Sequence, residues 1–431
     1  MARATQRPAL TLFLALLISG CNLPALLTPT PGVRVVPNGD PPPTLTHTPV
    51  PPTATPGPPP DPIQSRLDRI DAARMMADVE ALAAIPSRHV NSPGASEAAE
   101  LIASGFQEAG LEVQAQDFPL TYEEVFTTQR NVIGLIPGSD PDAGTIVIGA
   151  HYDSRTVGLL DVTSPAPGAN DNATGVAVLL ELARALKDSA PRRTLLLIAF
   201  AAEETGSQGS RQTVIRFRAD GRDVRAVVVF DIVGNSAGEA GAGSIRAFAA
   251  PPLESPSQAL ARYAALVGAD YVSAFDVAVQ PDVDRPGRYS DHVPFSDSGI
   301  PAMRFIEAIE DLNRQHSGDD LPEFIDADYL GRVGRLALAL SFSLANSVDS
   351  PTGLAIEEET LHWEPIPGAV SYVVAFREPE GVEVASTFTV DLPSLTWEGF
   401  SDGRDGWVSV AGVGERGVVG MFSAEIQLSG E

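Results

Sequence analysis

The sequence predicts an α/β protein: a mainly parallel mixed sheet flanked by helices, followed by a small all-β sandwich. Two observations carry this. Between residues 63 and 349, short apolar runs rich in β-branched residues alternate with amphipathic helical segments, as expected for strands buried on both faces by crossover helices. After "DSPTG", in residues 350–431, the pattern shifts to short alternating strands separated by Gly/Pro turns. A third observation bounds the folded part: residues 22–62 are Pro/Thr-rich, a composition that cannot bury a core.

Residues 1–21, "MARATQRPALTLFLALLISGC", place Arg3 and Arg7 before an apolar run from Ala9 to Ser19. That run is too short for a permanent bilayer span and has the layout of a secretory signal peptide. Its end, "ISGC", resembles a bacterial lipobox, which implies cleavage before Cys21, a lipid on that thiol, and an extracytoplasmic protein anchored to the cell membrane. Cys21 is the sole cysteine, so no intramolecular disulfide forms. The linker behind it, at about 3.1 Å per residue, could hold a domain roughly 100 Å from the membrane. A net charge of -27 argues against nucleic acid, whose phosphates need a basic face.

The folded region opens with "IQSRLDRIDAARMMADVEALAAI", read as one amphipathic helix, and "GASEAAELIASGFQEAGLEV", a second ending at Gly110. "NVIGLI" and "TIVIGAHYD" read as strands. "ATGVAVLLELARALKD" is a helix with Val176, Leu179, Leu180, Ala183 and Leu186 on one face. "RRTLLLIAFAAEE" and "VRAVVVFDIVG" are further strands, and "YLGRVGRLALALSFSLANS" closes the region as a helix near Ser347. In such sheets ligands bind beyond the carboxyl ends of the strands.

The chemistry collects at those ends. "TIVIGA" ends in His151-Tyr152-Asp153, "LLLIAFAA" in Glu203-Glu204, and "AVVVF" in Asp231. "PGANDNATG" puts Asp171 just before a helix, and "NRQHSGDD" supplies His316. A lone Asp after a strand is usually a cap or turn residue. Convergence of so many on one sheet edge calls for another explanation. Adjacent like charges such as Glu203 and Glu204 need a positive partner. Carboxylates and imidazoles without a thiolate suit zinc, or manganese or cobalt. Two metal ions need a shared carboxylate and ligands for each, and the residue count allows this.

Here the chain resembles metallopeptidase family 28, the co-catalytic di-zinc exopeptidases that include secreted bacterial aminopeptidases, glutamate carboxypeptidase II and the glutaminyl cyclases. "GAHYDS", "GANDNATG", "AAEETGSQGS", "VVFDIVG", "YSDHVPFSDSGIPAM" and "HSGDD" match its blocks in order across about 63–347. The resemblance implies the zinc exopeptidase fold and two zinc ions per chain. His151 and Asp231 would hold one zinc and Glu204 and His316 the other, with Asp171 shared and the Asp171–Asn172 peptide cis. Glu203 would be the general base for the attacking water, and Asp153 would orient His151. Many members carry a tyrosine immediately before the last histidine or just before the Ser-Asp-His block; Gln315 stands before His316, so Tyr289, before Ser290-Asp291-His292, is the candidate for oxyanion support. His292 reads as structural or pocket-lining, and Asp320 as a local hydrogen-bonding carboxylate.

The implied activity is that of an aminopeptidase acting on peptides. Carboxypeptidases would use the same ligands. Glutaminyl cyclases use one zinc and lack the first histidine, against which the intact His151-Tyr152-Asp153 counts. Receptors with this fold lose zinc ligands, whereas all five are present. The C-terminal region, about Leu354 to Leu428, resembles a fibronectin type III module with Trp363 as its core tryptophan, and reads as an accessory contact to a cell surface or polymer.

Overall fold

The computed structural model describes residues 61–428 apart from 236–237, 283, 285–289 and 402. The expected signal peptide, Cys21, nearly all of the linker and Tyr289 therefore lie outside the described residues. An eight-stranded sheet forms the centre: β1 (Glu112–Tyr122), β2 (Val125–Ile136), β3 (Thr145–His151), β4 (Thr194–Phe200), β5 (Val224–Phe230), β6 (Ser244–Ala249), β7 (Asp276–Gln280) and β8 (Ala302–Glu307). Its order is β1-β2-β4-β3-β5-β8-β6-β7. The four central strands, β4, β3, β5 and β8, are parallel; β2 and β6 run against them. The helices are α1 (Gln64–Leu67), α2 (Ala72–Ala83), α3 (Pro93–Glu108), α4 (Thr174–Leu186), α5 (Gln208–Ala219), α6 (Glu239–Ala242), α7 (Pro256–Tyr271), α8 (Val293–Ser296) and α9 (Ala327–Asn346).

Strand periodicity sorts the core into two layers. Ile146, Ile148, Leu195, Leu197, Ala226 and Val228 join the apolar layer under α2, α3, α4, α7 and α9. Their neighbours Val147, Leu196, Ile198, Val227 and Val229 face the opposite layer, with Val214 and Phe217 of α5 and Phe295 of α8. Successive side chains of a strand point to opposite faces, so a run apolar at every position must be covered twice. This is why these strands showed no alternation.

Two elements differ from expectation. The first amphipathic segment is two helices. Asp71 takes an extended backbone and its carboxylate accepts from the Ala73 and Arg74 N–H groups, an N-cap that restarts the helix. Beyond "GLEV" the chain forms a long antiparallel hairpin, β1–β2. Its two-residue loop is Glu123-Glu124, at φ 49° and 65°. Such loops normally carry Asn-Gly, so the sequence held no turn signal.

Beyond α9 lie two antiparallel sheets. One has β9 (Ala355–Glu357), β10 (Thr360–His362) and β13 (Ser394–Thr396); the other has β11 (Ala369–Arg377), β12 (Ser386–Val390), β14 (Gly406–Gly414) and β15 (Ile426–Leu428). Between them Trp363 packs edge-on to Tyr372 at 5.2 Å, among Leu361, Val374, Val408 and Val410. This region docks on α7. Glu425 receives Arg377 at 2.7 Å and Arg262 at 3.0 Å, all three side chains being buried. Tyr263 donates to the Val419 carbonyl, and Val418 joins the core beneath α9. The two parts thus belong to one compact unit, with apolar contact and this buried carboxylate between two arginines at their junction.

Candidate metal centre

The carboxyl ends of β3, β4 and β5 bring the sequence-predicted residues together. His151 is the last residue of β3 and is buried. Its Nδ1 lies 3.2 Å from the Asp153 carbonyl. A carbonyl only accepts, so Nδ1 carries a hydrogen, and Nε2 is the ring nitrogen left to bind a metal once the imidazole gives up its second proton. Nε2 lies 3.3 Å from Asp171 Oδ1 and 3.3 Å from Asp231 Oδ1. His316 Nε2 lies 3.1 Å from Asp171 Oδ2 and 3.2 Å from Glu204 Oε1. These are two three-donor groups, His151–Asp171–Asp231 and Asp171–Glu204–His316, sharing Asp171 through different oxygens.

The donor sets fit zinc. Nitrogen and oxygen ligands bound at about 2.0 Å in a tetrahedron stand roughly 3.3 Å apart, the separation seen on both sides. Glu204 Oε1 is buried and lacks a hydrogen bond of good geometry; it faces His316 Nε2 at 3.2 Å, while its other oxygen accepts from Arg155 Nε at 2.7 Å. A buried carboxylate oxygen needs a positive partner, which a metal ion between Glu204 and His316 would supply in place of the imidazole proton.

Asp171 sits in a loop built for it. The Asp171–Asn172 peptide is cis. Asp320 accepts from the Asn170 and Asp171 N–H groups at 2.8 and 3.0 Å. Gln315 Nε2 donates to Asp171 Oδ2 at 2.9 Å, so the residue before His316 also touches the shared ligand. Gly168, at φ 54°, turns the chain into this loop. A Cβ there would lie 2.4 Å from the Asp171 carbonyl oxygen and 2.7 Å from Ser154 Cβ, so no side chain fits.

Glu203 and Glu204 follow β4 on a tight turn rather than continuing the strand. Ala202 has φ 59°, and the Glu203 carbonyl accepts from Gly206 and Ser207. Asp153 fixes this turn: its carboxylate accepts from the Glu203 and Glu204 N–H groups at 3.0 and 3.1 Å. Its Oδ1 is 3.6 Å from His151 Nδ1. The histidine is thus oriented mainly by the Asp153 carbonyl, and the carboxylate aims the paired glutamates.

Three arginines absent from the sequence-based site complete it. Arg88, fully buried, donates to the Tyr152, Pro167 and Gly168 carbonyls and lies beneath the carboxylates; burial lowers it to about 10, still a cation at neutral pH. Arg304 donates to Asp231 Oδ2 at 3.3 Å and to Asp284 at 2.7 Å. A charge inside the apolar strand "AMRFIE" was the available signal. Arg155 holds Glu204. Glu307, which ends β8 as Asp231 follows β5, carried the same strand-end signal. It accepts from Asn170 Nδ2 and the Asn235 N–H, and burial pushes it up to about 8. Ser290, Asp291 and His292 are buried. Burial pushes Asp291 up to about 7 and His292 down to about 3.

The protons report the charge balance of the metal-free chain. Burial opposes charging of His151 and His316, but the facing carboxylates outweigh it. His151 lies well above its ordinary range, and His316 is raised to about 10. Asp171 is held well below the carboxylate range despite burial, by the two histidines, and Asp231 at about 2, by His151 and Arg304. Glu203 is raised by burial, against His151, with Glu204, Asp231 and Asp291 adding to the rise. Raised histidines stabilise the fold fully below their unfolded value of 6.5, and His316's contribution is lost as pH rises through about 10. The melting temperature in chelator should therefore fall from neutral pH to pH 10. Zinc uptake displaces the same protons, so zinc titrations should show affinity rising with pH and protons released.

Arg155→Ala removes the only hydrogen bond to Glu204 Oε2 found among the described residues. Zinc affinity at the Glu204–His316 side should weaken by about 10- to 100-fold, the usual cost of losing a partner behind a ligand. Calorimetric titration should show one zinc unchanged and one weakened.

Comparisons with known proteins place the chain in a family and a fold. Residues 131–341 match the model of peptidase family M28. A protein of Leptosphaeria maculans, named "Probable zinc metalloprotease", is 33% identical over 348 residues, covering 70% of this chain and 81% of its own length. Among solved structures, the Legionella pneumophila LapA aminopeptidase superposes with a TM-score of 0.57 at 23% identity, over 67% of this chain and 75% of that one. BSAP, a zinc aminopeptidase from Bacillus subtilis, superposes at 0.52 and 19%, over 63% and 94%. The chain belongs to peptidase family M28 and carries its site on the zinc-aminopeptidase fold.

Proposed function

We propose that this chain is a zinc-dependent exopeptidase that removes N-terminal residues from peptides using two zinc ions. It would be held outside the cytoplasm by a lipid on Cys21. The C-terminal sheets would serve as a fibronectin type III-like accessory module that contacts a cell surface or polymer. One observation carries the catalytic reading: two donor sets share Asp171 and leave one further carboxylate, Glu203, beside them. A zinc pair supplies Lewis acidity to the scissile carbonyl and to the attacking water. The chain's own work is positional and protonic. Asp153 fixes the Glu203–Glu204 turn so that one carboxylate serves as ligand and the other stays free. Glu203, raised by its surroundings, takes a proton from water and returns it to the leaving amine. Arg155 and Arg304 hold Glu204 and Asp231, and Arg88 holds the carbonyls of Tyr152, Pro167 and Gly168.

The test is hydrolysis by the zinc-loaded chain of peptides with free N-termini, blocked N-termini and C-terminal glutamate. Cleavage of only the first set supports an aminopeptidase. Cleavage of blocked peptides from their C-terminal end would make it a carboxypeptidase. Cyclisation of N-terminal glutamine with one zinc bound would make it a cyclase, and no turnover an adhesion protein.

A further inference from the structure

The loop joining Asp153 to Asp171 exposes an unusual set of side chains. Val157 and Leu160 are 76% and 61% exposed, with Leu159 and Val162 also in solvent. Val125 and Phe126, at the tip of the β1–β2 hairpin, are likewise exposed, Phe126 by 69%. Scattered exposed aliphatics are ordinary, but a grouped set marks a binding surface. These six belong to two loops tied through one residue: His89 Nε2 donates to the Leu159 carbonyl at 3.1 Å, and its ring packs on Tyr122 at 5.9 Å. Tyr122 is the strand partner of Val125.

The tied loops stand at the rim of the metal centre. At one end of the 155–165 loop, Arg155 bonds to Glu204. At the other, the Pro165 carbonyl lies 3.5 Å from where a Cβ on Gly318 would stand, two residues beyond His316. The loop is thus bonded to Glu204 at one end and passes close to the chain beyond His316 at the other. On the aminopeptidase reading, on which this inference rests, one substrate residue precedes the scissile bond. Whatever crosses the rim must then be the chain that follows it. The loop's one arginine is committed to Glu204 and the Thr156 carbonyl, and Asp161 is bound within the loop by Thr163 and Ser164; beside the exposed Glu123 and Glu124, the contact that remains on the rim is apolar.

We propose that Val157, Leu159 and Leu160, with Val125 on the face of the hairpin that carries Tyr122, form a lip that binds apolar side chains downstream of the scissile bond. The preferred substrates are then oligopeptides with apolar residues after the first. The lip is tested in the zinc-loaded full chain with a Leu159→Ser/Leu160→Ser variant and three substrates: a leucine anilide, a hexapeptide apolar at its second to fourth positions, and one with Ser and Asn there. The variant should raise KM for the apolar hexapeptide about tenfold, from the apolar contact area lost. Its kcat, the anilide and polar-peptide constants and the melting temperature should stay unchanged, and Leu159→Met/Leu160→Met should restore KM. Unmoved KM for the apolar hexapeptide, or equal changes for all three substrates, would overturn the lip. So would KM unmoved with loss of lipid-vesicle binding or of self-association, which would assign the patch to a membrane or a second copy. Failure of the wild type to cleave any of the three would overturn the peptidase reading and the lip together, whereas cleavage of the anilide with KM unmoved removes the lip alone.

Discussion

Glu203→Gln should keep both zinc ions and lose hydrolysis by about 10²- to 10⁴-fold, the usual contribution of a positioned general base. The substitution preserves size and shape. It also preserves the contact that sets the turn, because Asp153 binds the backbone N–H of residue 203 and not its side chain. Both donor sets are complete without Glu203, so metal analysis should read as wild type. What is lost is a proton acceptor: a carboxamide cannot take the proton from water. The defect should appear in kcat rather than KM, as expected when an interaction made in the transition state is removed. Activity within tenfold of wild type would remove Glu203 from this role. Loss of zinc in the same variant would place it among the ligands instead. Glu204→Ala is the matched contrast: it strips Asp171 and His316 of their third donor and leaves Arg155 without its carboxylate, so a zinc should go with the activity.

Much of this site was legible because its ligands announce themselves at strand ends. A buried parallel strand is an unbroken apolar run, and the first charged residue after it lies at the carboxyl edge. His151, Asp231 and the paired glutamates carried that signal, and Asp171 and His316 were placed by motif order. Glu307, at the end of the strand "AMRFIE", carries the same signal. What stayed hidden was support across long sequence separations. Arg88 reaches carbonyls 64 to 80 residues away, Arg304 reaches Asp231 73 residues back, and Asp320 reaches the Asp171 N–H 149 residues back. No local periodicity reports such pairings. The hairpin β1–β2 was hidden for the opposite reason: its Glu-Glu turn contradicts the local rule, and pairing with β4 carries it. The docking of the C-terminal sheets also rests on side chains far apart in sequence, Arg262 and Glu425.

Asp171→Ala should cost more than any other single ligand change, because it is the only one of the five residues in both donor sets. Each set falls to two donors, His151 with Asp231 and Glu204 with His316. A two-donor site is far below the three that catalytic zinc sites keep. Both affinities should therefore weaken by more than about 100-fold, beyond the range seen when only a partner behind a ligand is lost. At a zinc concentration that saturates the wild type, metal analysis should find fewer than one ion per chain. Asp231→Ala, which touches one set, should retain one. The metal-free protein should respond too. Asp171 faces both imidazoles, at 3.3 and 3.1 Å, and helps keep them charged within the protein. Without it, the raised histidine values should fall, and with them the stability that the wild type loses only as pH climbs through about 10. The melting temperature of zinc-free Asp171→Ala should accordingly lie below wild type at pH 7 and converge towards it at pH 10. A variant that kept two zincs would show that Asp171 does not bridge, and one whose melting curve ran parallel to wild type at every pH would show that it does not hold the histidine protons.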